Sequence, residues 1–561
     1  MVTGWLRYPF ARLRLPSAWT VAAGAVATLV AVPILAVVSS LAVPALDVWA
    51  HLLRTQMVEL FVNTVVLLLA VGVGVLGLGT FLAWLVVTYQ FPGRAILEWA
   101  LVLPLAVPAY VIGFVFLGLF DYAGPVQTVL RELFGPRLSL PELRSGWGVA
   151  LMMTLVFYPY VYTLARTAFL EQTSATLESA RSLGRTGFEA FLGVTLPMAR
   201  PSLVTGVSLA LMEALADFGT VATFGYRTFT EAIYRVWHGM FDRLAATQLA
   251  AVLLAFAFGL ILLERALRGR ARFTQVGNRG VRSQPIPLTG VRAAAATGAC
   301  VIVFALAFAM PVAQLLVWAA QTLGRAGLPP DFLTQLENSV WLAGVGAAVT
   351  CAVAIVLAYA SRLHPSRGVT FSARFAAMGY ALPGAVIAVG ILLPLAWIDQ
   401  VIAGTLRERL GIDVGLALTG SAVALVFAYL VRFLAISFNT VESSLTRVPK
   451  NLDEAARSLG VSPSRTLLSV HLPLVRGGLL AALALVFVDV MKEMPATLLL
   501  RPFGLNTLAL GVWQLTAESL WEEAAVSALA IVGAGLLPVA LAMRGIAGRA
   551  REPSGARSEG G

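Results

Sequence analysis

Lysine, cysteine and histidine are almost missing from this chain. Its 561 residues include two Lys (Lys450, Lys492), two Cys (Cys300, Cys351) and four His. Both Cys lie inside apolar runs, so neither a disulfide framework nor a Cys-based metal cluster can be built. The His, at positions 51, 238, 364 and 471, stand far apart with no pair at helical metal-binding spacing. His471 reads as a surface residue of a loop. A phosphate-cradling loop requires Gly-x-x-x-x-Gly-Lys-[Ser/Thr]. Lys450 follows Pro449 and Lys492 follows Met491, which excludes ATP binding by that route. Charge is scarce as well. Only 12% of residues are Asp, Glu, Lys or Arg, against about 25% in soluble domains.

What fills the chain is apolar: 59% hydrophobic residues and a mean hydropathy of +0.84. Such a composition excludes a string of soluble domains and predicts an all-α polytopic membrane protein with lipid as its main solvent. Apolar runs fall at 21–43, 58–87, 95–120, 147–169, 201–224, 245–263, 293–320, 338–360, 375–398, 415–437, 475–499 and 523–543. Each can cross a hydrocarbon core of about 30 Å as a helix. Helix is the expected form, because an open strand would leave backbone groups unpaired in lipid. The first run is longer than a signal-peptide core of about 7–15 residues and counts as a span. With twelve crossings, 28 of the 40 Lys and Arg fall in inner segments and 12 in outer ones. This bias predicts cytoplasmic N- and C-termini. It also accounts for the net charge of +11 without any nucleic-acid partner.

The basic stretch 265–292 holds Arg265, Arg268, Arg270, Arg272, Arg279 and Arg282 among Gly277, Gly280, Pro285 and Pro287. It reads as a cytoplasmic linker, too polar to span and too broken to pack. The chain repeats itself on either side. At an offset of 276, Glu178-Ser179-Ala180-Arg181-Ser182-Leu183-Gly184 falls on Glu454-Ala455-Ala456-Arg457-Ser458-Leu459-Gly460, and Leu196-Pro197 on Leu472-Pro473. At 275, Leu82-Ala83-Trp84 falls on Leu357-Ala358-Tyr359. The expected division is: 1–57, N-terminus, first span and external loop; 58–264, first core; 265–292, linker; 293–335, seventh span and external loop; 336–544, second core; 545–561, cytoplasmic tail.

The paired loops at 173–200 and 448–476 predict a short helix, a Gly in a left-handed terminating conformation, and a second short helix stopped before the Leu-Pro. Ser462-Pro463 reads as an N-cap with Pro at the first helical position. Small Ala and Ser side chains permit close approach of a partner, and Glu178 and Glu454 can accept hydrogen bonds from it.

Charges inside spans are costly and usually face a bundle interior or an aqueous cavity. Glu213 and Asp217 lie in the fifth run; Asp489, Lys492 and Glu493 lie in the eleventh. At the 276 offset Glu213 falls on Asp489 and Asp217 on Glu493, each pair four apart and therefore on one helix face. Either these carboxylates line a pathway and offer oxygen ligands to a cation, or they satisfy Lys492, hydroxyls and backbone groups nearby. Tyr158, Tyr160 and Tyr162 surround Pro159 and predict packing and a kink. No metal site and no catalytic constellation can be derived from the residues.

The two loops resemble the EAA motif of the membrane subunits of ATP-binding-cassette importers. The second copy matches directly; the first has Ser179 where Ala is usual. Nearly the whole chain is similar to the fused permeases of ferric-iron importers, notably at Asp217–Val221, Ile233–Trp237 and Asp489–Pro502. The resemblance implies a type I importer fold of about twelve helices in two pseudosymmetric six-helix halves in a bacterial inner membrane. It also implies that Glu178, Ser179, Ala180, Gly184 and Pro197, and Glu454, Ala455, Ala456, Gly460 and Pro473, belong to loops that couple to two separate ATPase subunits. ATP and Mg would be bound there and no cofactor here. An extracytoplasmic binding protein would deliver the cargo, expected to be ferric iron moved by alternating access. Related permeases for thiamine, polyamines, sulfate or molybdate share the architecture. A secondary transporter driven by an ion gradient is the alternative of a different class, but it does not account for the matched loops.

Overall fold

The computed structural model describes residues 17–43, 46–137, 140–172, 184, 186–268, 285–411 and 417–550. Among the described residues, twelve helices are long and apolar enough to cross a membrane: α1 (Ala18–Ala42), α2 (Met57–Thr88), α3 (Ala109–Phe134), α4 (Gly146–Glu171), α5 (Phe191–Ala216), α6 (Arg243–Arg268), α7 (Gly290–Ala326), α8 (Phe332–Leu363), α9 (Gly384–Arg409), α10 (Ala422–Thr446), α11 (Pro463–Met491) and α12 (Trp521–Pro538). Large apolar side chains such as Val58, Val73 and Leu69 stand exposed on them, as expected where the surrounding medium is hydrocarbon.

Helices α2, α4 and α5 pack on one another, and α8, α10 and α11 do the same in the second half. The first helix of each half reaches across. α1 packs on α8 and α9, and α7 packs on α12 and on two segments of the first half, Arg94–Ala100 and Ala109–Phe120. At Gly390 a Cβ atom would come within 2.4 Å of the Pro33 carbonyl oxygen, so glycine is what lets α1 lie against α9.

Three expectations need correction. The run 95–120 is not one span. It breaks into the helix Arg94–Ala100, a 3-10 turn Leu103–Ala106 and the helix Ala109–Phe120. Pro104 and Pro108 remove donors and fix the backbone there. The second half breaks likewise around Pro383, between Ala377–Ala381 and Gly384–Leu410.

The Leu-Pro pairs do not stop a helix. Gly187–Ala190, a π-turn Phe191–Thr195 and Leu196–Ala216 follow without interruption, as do Pro463–Thr466, the π-turn Leu467–His471 and Leu472–Met491. A π-turn widens the helix where the proline ring would meet the preceding turn, so each loop feeds directly into α5 or α11. Ser462 does precede Pro463 at the helix start, but its side chain makes no capping bond.

The linker is only partly within the described residues, and there it does pack. Ile286–Pro287 pairs in parallel with Tyr89–Gln90, and the Leu288 N–H donates to the Gln90 carbonyl at 2.9 Å.

Candidate translocation cavity and coupling surfaces

Helix α5 ends at Ala216 and the helical part of α11 at Met491. Asp217 and Glu493 therefore lie beyond the helix ends, not on a common helical face with Glu213 and Asp489. Each turns back to cap the short helix that follows. Asp217 Oδ1 accepts from the Thr220 N–H at 2.7 Å, at the start of Gly219–Thr223. Glu493 accepts from the N–H groups of Ala496 at 3.0 Å and Thr497 at 3.1 Å, in Pro495–Leu500, and from the Thr497 hydroxyl at 2.9 Å. Such caps satisfy backbone donors that a helix start leaves unpaired.

All four carboxylates nonetheless line one cavity of about 90 Å³, between the two halves. Residues that the spacing argument did not select complete it. Arg432 Nη1 lies 3.4 Å from Glu493 Oε1, and Lys492 Nζ lies 2.8 Å from Asp489 Oδ1. The Tyr380 hydroxyl donates to Glu213 across the halves, and Tyr160 lines the same cavity. The Arg432 Nε and the Tyr110 hydroxyl have no hydrogen-bond partner among the described residues. Four carboxylates thus face two cations and three phenols, an oxygen-rich lining of the kind that suits hard cations. No cluster of three His, Cys, Asp or Glu fit for a metal ion occurs among the described residues. Of the tyrosines around Pro159, Tyr158 and Tyr162 are buried and donate to the carbonyls of Leu101 at 2.8 Å and Glu98 at 2.9 Å. Tyr160 instead reaches the cavity.

In the second loop, Asn451–Ser458 forms a short helix. Glu454 and Ala455 are exposed, Ala456 is buried, and Leu459 and Leu468 stand 81% and 65% exposed nearby. Polar and apolar side chains are thus exposed side by side. Gly460 and Gly184 have φ of +73° and +82°, a region costly for residues with a Cβ. Pro473 and Pro197 sit in the first turns of Leu472–Met491 and Leu196–Ala216. Glu178, Ser179 and Ala180 lie outside the described residues.

His471 is not a surface residue. It is fully buried, and its Nε2 lies 2.6 Å from Asp453 Oδ1. Asp453 also takes Arg362, Nη2 to Oδ2 at 2.7 Å, and Arg362 donates to the carbonyls of Leu445, Val448 and Pro449. Burial works against the Asp453 carboxylate, but the bonds from Arg362 and His471 hold its pKa below the ordinary value. The Tyr359 hydroxyl donates to the Pro463 carbonyl at 2.9 Å. The C-terminal end of α8 therefore grips the short helix and the start of α11 together. In the first half Trp84 occupies the position of Tyr359 and Thr195 that of His471. The Trp84 ring packs 5.1 Å from Phe191, and Gln172 donates to the Thr195 carbonyl at 3.0 Å.

Two like bundles around a charged cavity, with loops presented at their ends, have the form of a transport permease. The model of the family described as binding-protein-dependent transport system inner membrane component matches residues 75–272 and 350–552. The chain belongs to this family, with both halves of the permease fused in one polypeptide. It is a multi-pass inner-membrane subunit of an ATP-binding-cassette importer, a class that works with a substrate-binding protein and an ATPase. It is 30% identical over 494 residues to the Fe(3+)-transport system permease protein FbpB 2 of Haemophilus influenzae, covering 87% of this chain and 90% of that one. The molybdenum transport system permease protein ModB of Escherichia coli is 31% identical over 34% of this chain and 83% of its own. The sulfate transport system permease protein CysT of the same organism is 29% identical over 36% and 72%.

Proposed function

We propose that this permease carries ferric iron, handed over outside by a binding protein, through the cavity at Glu213, Asp217, Asp489 and Glu493. Two separate ATPase subunits dock at the loops 173–200 and 448–476, and both termini face the cytoplasm. ATP binding draws the ATPases together and opens the cavity outward; hydrolysis resets it inward. Each ligand acts only through its different affinity for the two states.

The observation that supports the cargo assignment is 30% identity to a ferric permease over 87% of this chain and 90% of that one. The hard-oxygen lining agrees with it. The basic residues, 28 of 40 in inner segments, support the orientation. The test is uptake into proteoliposomes holding the permease, its ATPase and its binding protein, with labelled ferric ion, molybdate and thiamine in parallel. Ferric uptake that requires ATP is expected. Transport of molybdate or thiamine without ferric uptake overturns the assignment.

A further inference from the structure

Beyond the carboxylate cavity lies a larger one of opposite charge. Phe218 walls both. Its ring stacks on Tyr234 at 3.8 Å and lies 5.9 Å from Trp513, and the Tyr234 hydroxyl donates to the Pro495 carbonyl. On the far side of this seal is a vestibule of about 1430 Å³. It is built from the segment after α5 and the equivalent segment after α11.

Arg227, Arg235, Arg243 and Arg501 line the vestibule with His238, against a single lining carboxylate, Glu231. Two of these arginines are occupied. Arg235 lies 3.4 Å from Glu231, and Arg227 lies 3.4 Å from Glu59. The other two have no carboxylate partner among the described residues: Arg243 lies over the Trp237 ring at 5.7 Å, and Arg501 donates to Asn506 Oδ1. Asp242, beside Arg243, is turned to the backbone, accepting from the Ala245 N–H at 2.9 Å.

A guanidinium presents a planar fork that matches carboxylate and other oxyanions, two bonds at a time. Two such forks, one from each half, line the same space. The field there repels a bare trivalent cation and attracts an anion. Ferric ion is a hard Lewis acid that travels with oxygen anions in its coordination shell, so the opposed charges of the two cavities are compatible along one route.

We propose that the vestibule is an anion-recognition site, in which Arg243 and Arg501 take a small oxyanion, free or as co-ligand of a metal ion. This does not depend on ferric iron being the cargo. The full-length permease in lipid nanodiscs, with no ATPase or binding protein, is titrated calorimetrically with citrate, with ferric citrate and with molybdate. Saturable binding is expected, weakened at least tenfold in the double variant R243Q/R501Q and weakened by added salt. The inner-face variant R292Q leaves it unchanged. Binding of citrate or molybdate alone identifies a free anion as the ligand; binding of ferric citrate only identifies a co-ligand. The single variants R243Q and R501Q are measured beside the double one, so a folding defect in the latter does not decide the result. Equal binding by wild type and the Gln variants, salt-independent binding, or no saturable binding of any of the three probes overturns the proposal.

Discussion

Arg362 shows how much one side chain can organise. With its side chain 9% exposed, it joins the Asp453 carboxylate to three carbonyls that end α10 and begin the short helix Asn451–Ser458. Removing one partner of such a pair leaves the other charge buried, at a cost of about 3 kcal/mol or more. Arg362→Gln is therefore expected to lower the melting temperature and to weaken co-purification of the ATPase. Unchanged values in both would show that the lever is held some other way. Asp453 has a depressed pKa, so its stabilisation is present above the ordinary carboxylate value of 3.8 and is lost as pH falls through the folded value. ATPase docking should consequently be flat around neutral pH, checked by pull-down across that range. The cluster was not legible beforehand because Arg362, Asp453 and His471 follow no spacing rule. One signal was present: at the 276 offset His471 falls on Thr195, a departure from the repeat at a buried position. Arg432 was equally visible as a charge within an apolar run, yet it was counted only among the inner basic residues.

At the level of the element, the two glycines and the paired caps carry the argument. Gly184 and Gly460 face open space, so replacing them costs backbone strain and not collision, about 1–2 kcal/mol for an L-residue. Gly460→Val should weaken ATPase binding more than Gly460→Asn, because Asn tolerates the left-handed region better. Equal effects, measured by co-purification, would point to contact with the partner as the cause. For the cavity, the caps change how the carboxylates should be tested. Alanine at Asp217 and Glu493 removes charge and cap together, the cap alone being worth about 1 kcal/mol. Asp217→Asn with Glu493→Gln keeps an acceptor oxygen and removes only the charge. This pair is expected to cut uptake severalfold, with a lowered melting temperature because Glu493→Gln leaves Arg432 without its buried partner; unchanged uptake in vesicles removes both from the pathway. The spans themselves were legible because lipid demands long apolar helices whatever surrounds them. Their breaks at Pro104, Pro108 and Pro383 were less so: a broken segment buried against protein has the same composition as a continuous one. The π-turns before Leu196 and Leu472 leave no compositional trace either.

Across the whole molecule, the crossing of α1 and α7 means that each half holds part of the other. Cutting the chain between residues 268 and 285 is expected to give two fragments that still co-purify when co-expressed. Deleting residues 1–43 should weaken that association by baring the α9 surface around Gly390, while the α7 contacts remain. Fragments that separate with α1 intact would overturn this account of the assembly. The twofold pattern of left-handed glycines and cavity carboxylates was legible from the repeat alone, because duplicated segments keep duplicated spacing. What the repeat could not reveal is what the positions where the halves have diverged do.

That divergence has a consequence at the cavity. Arg432 and Lys492 both come from the second half, and the matching positions in the first are Val156 and Ala216. Were the protein a pair of identical subunits, every ammonium or guanidinium near the pseudo-axis would confront its own duplicate, and four positive groups would crowd a space of about 90 Å³. Joining the halves into one gene product lifts that obligation. A lone arginine can then sit off-centre beside the route, giving it a lopsided field that identical subunits related by a twofold rotation cannot make.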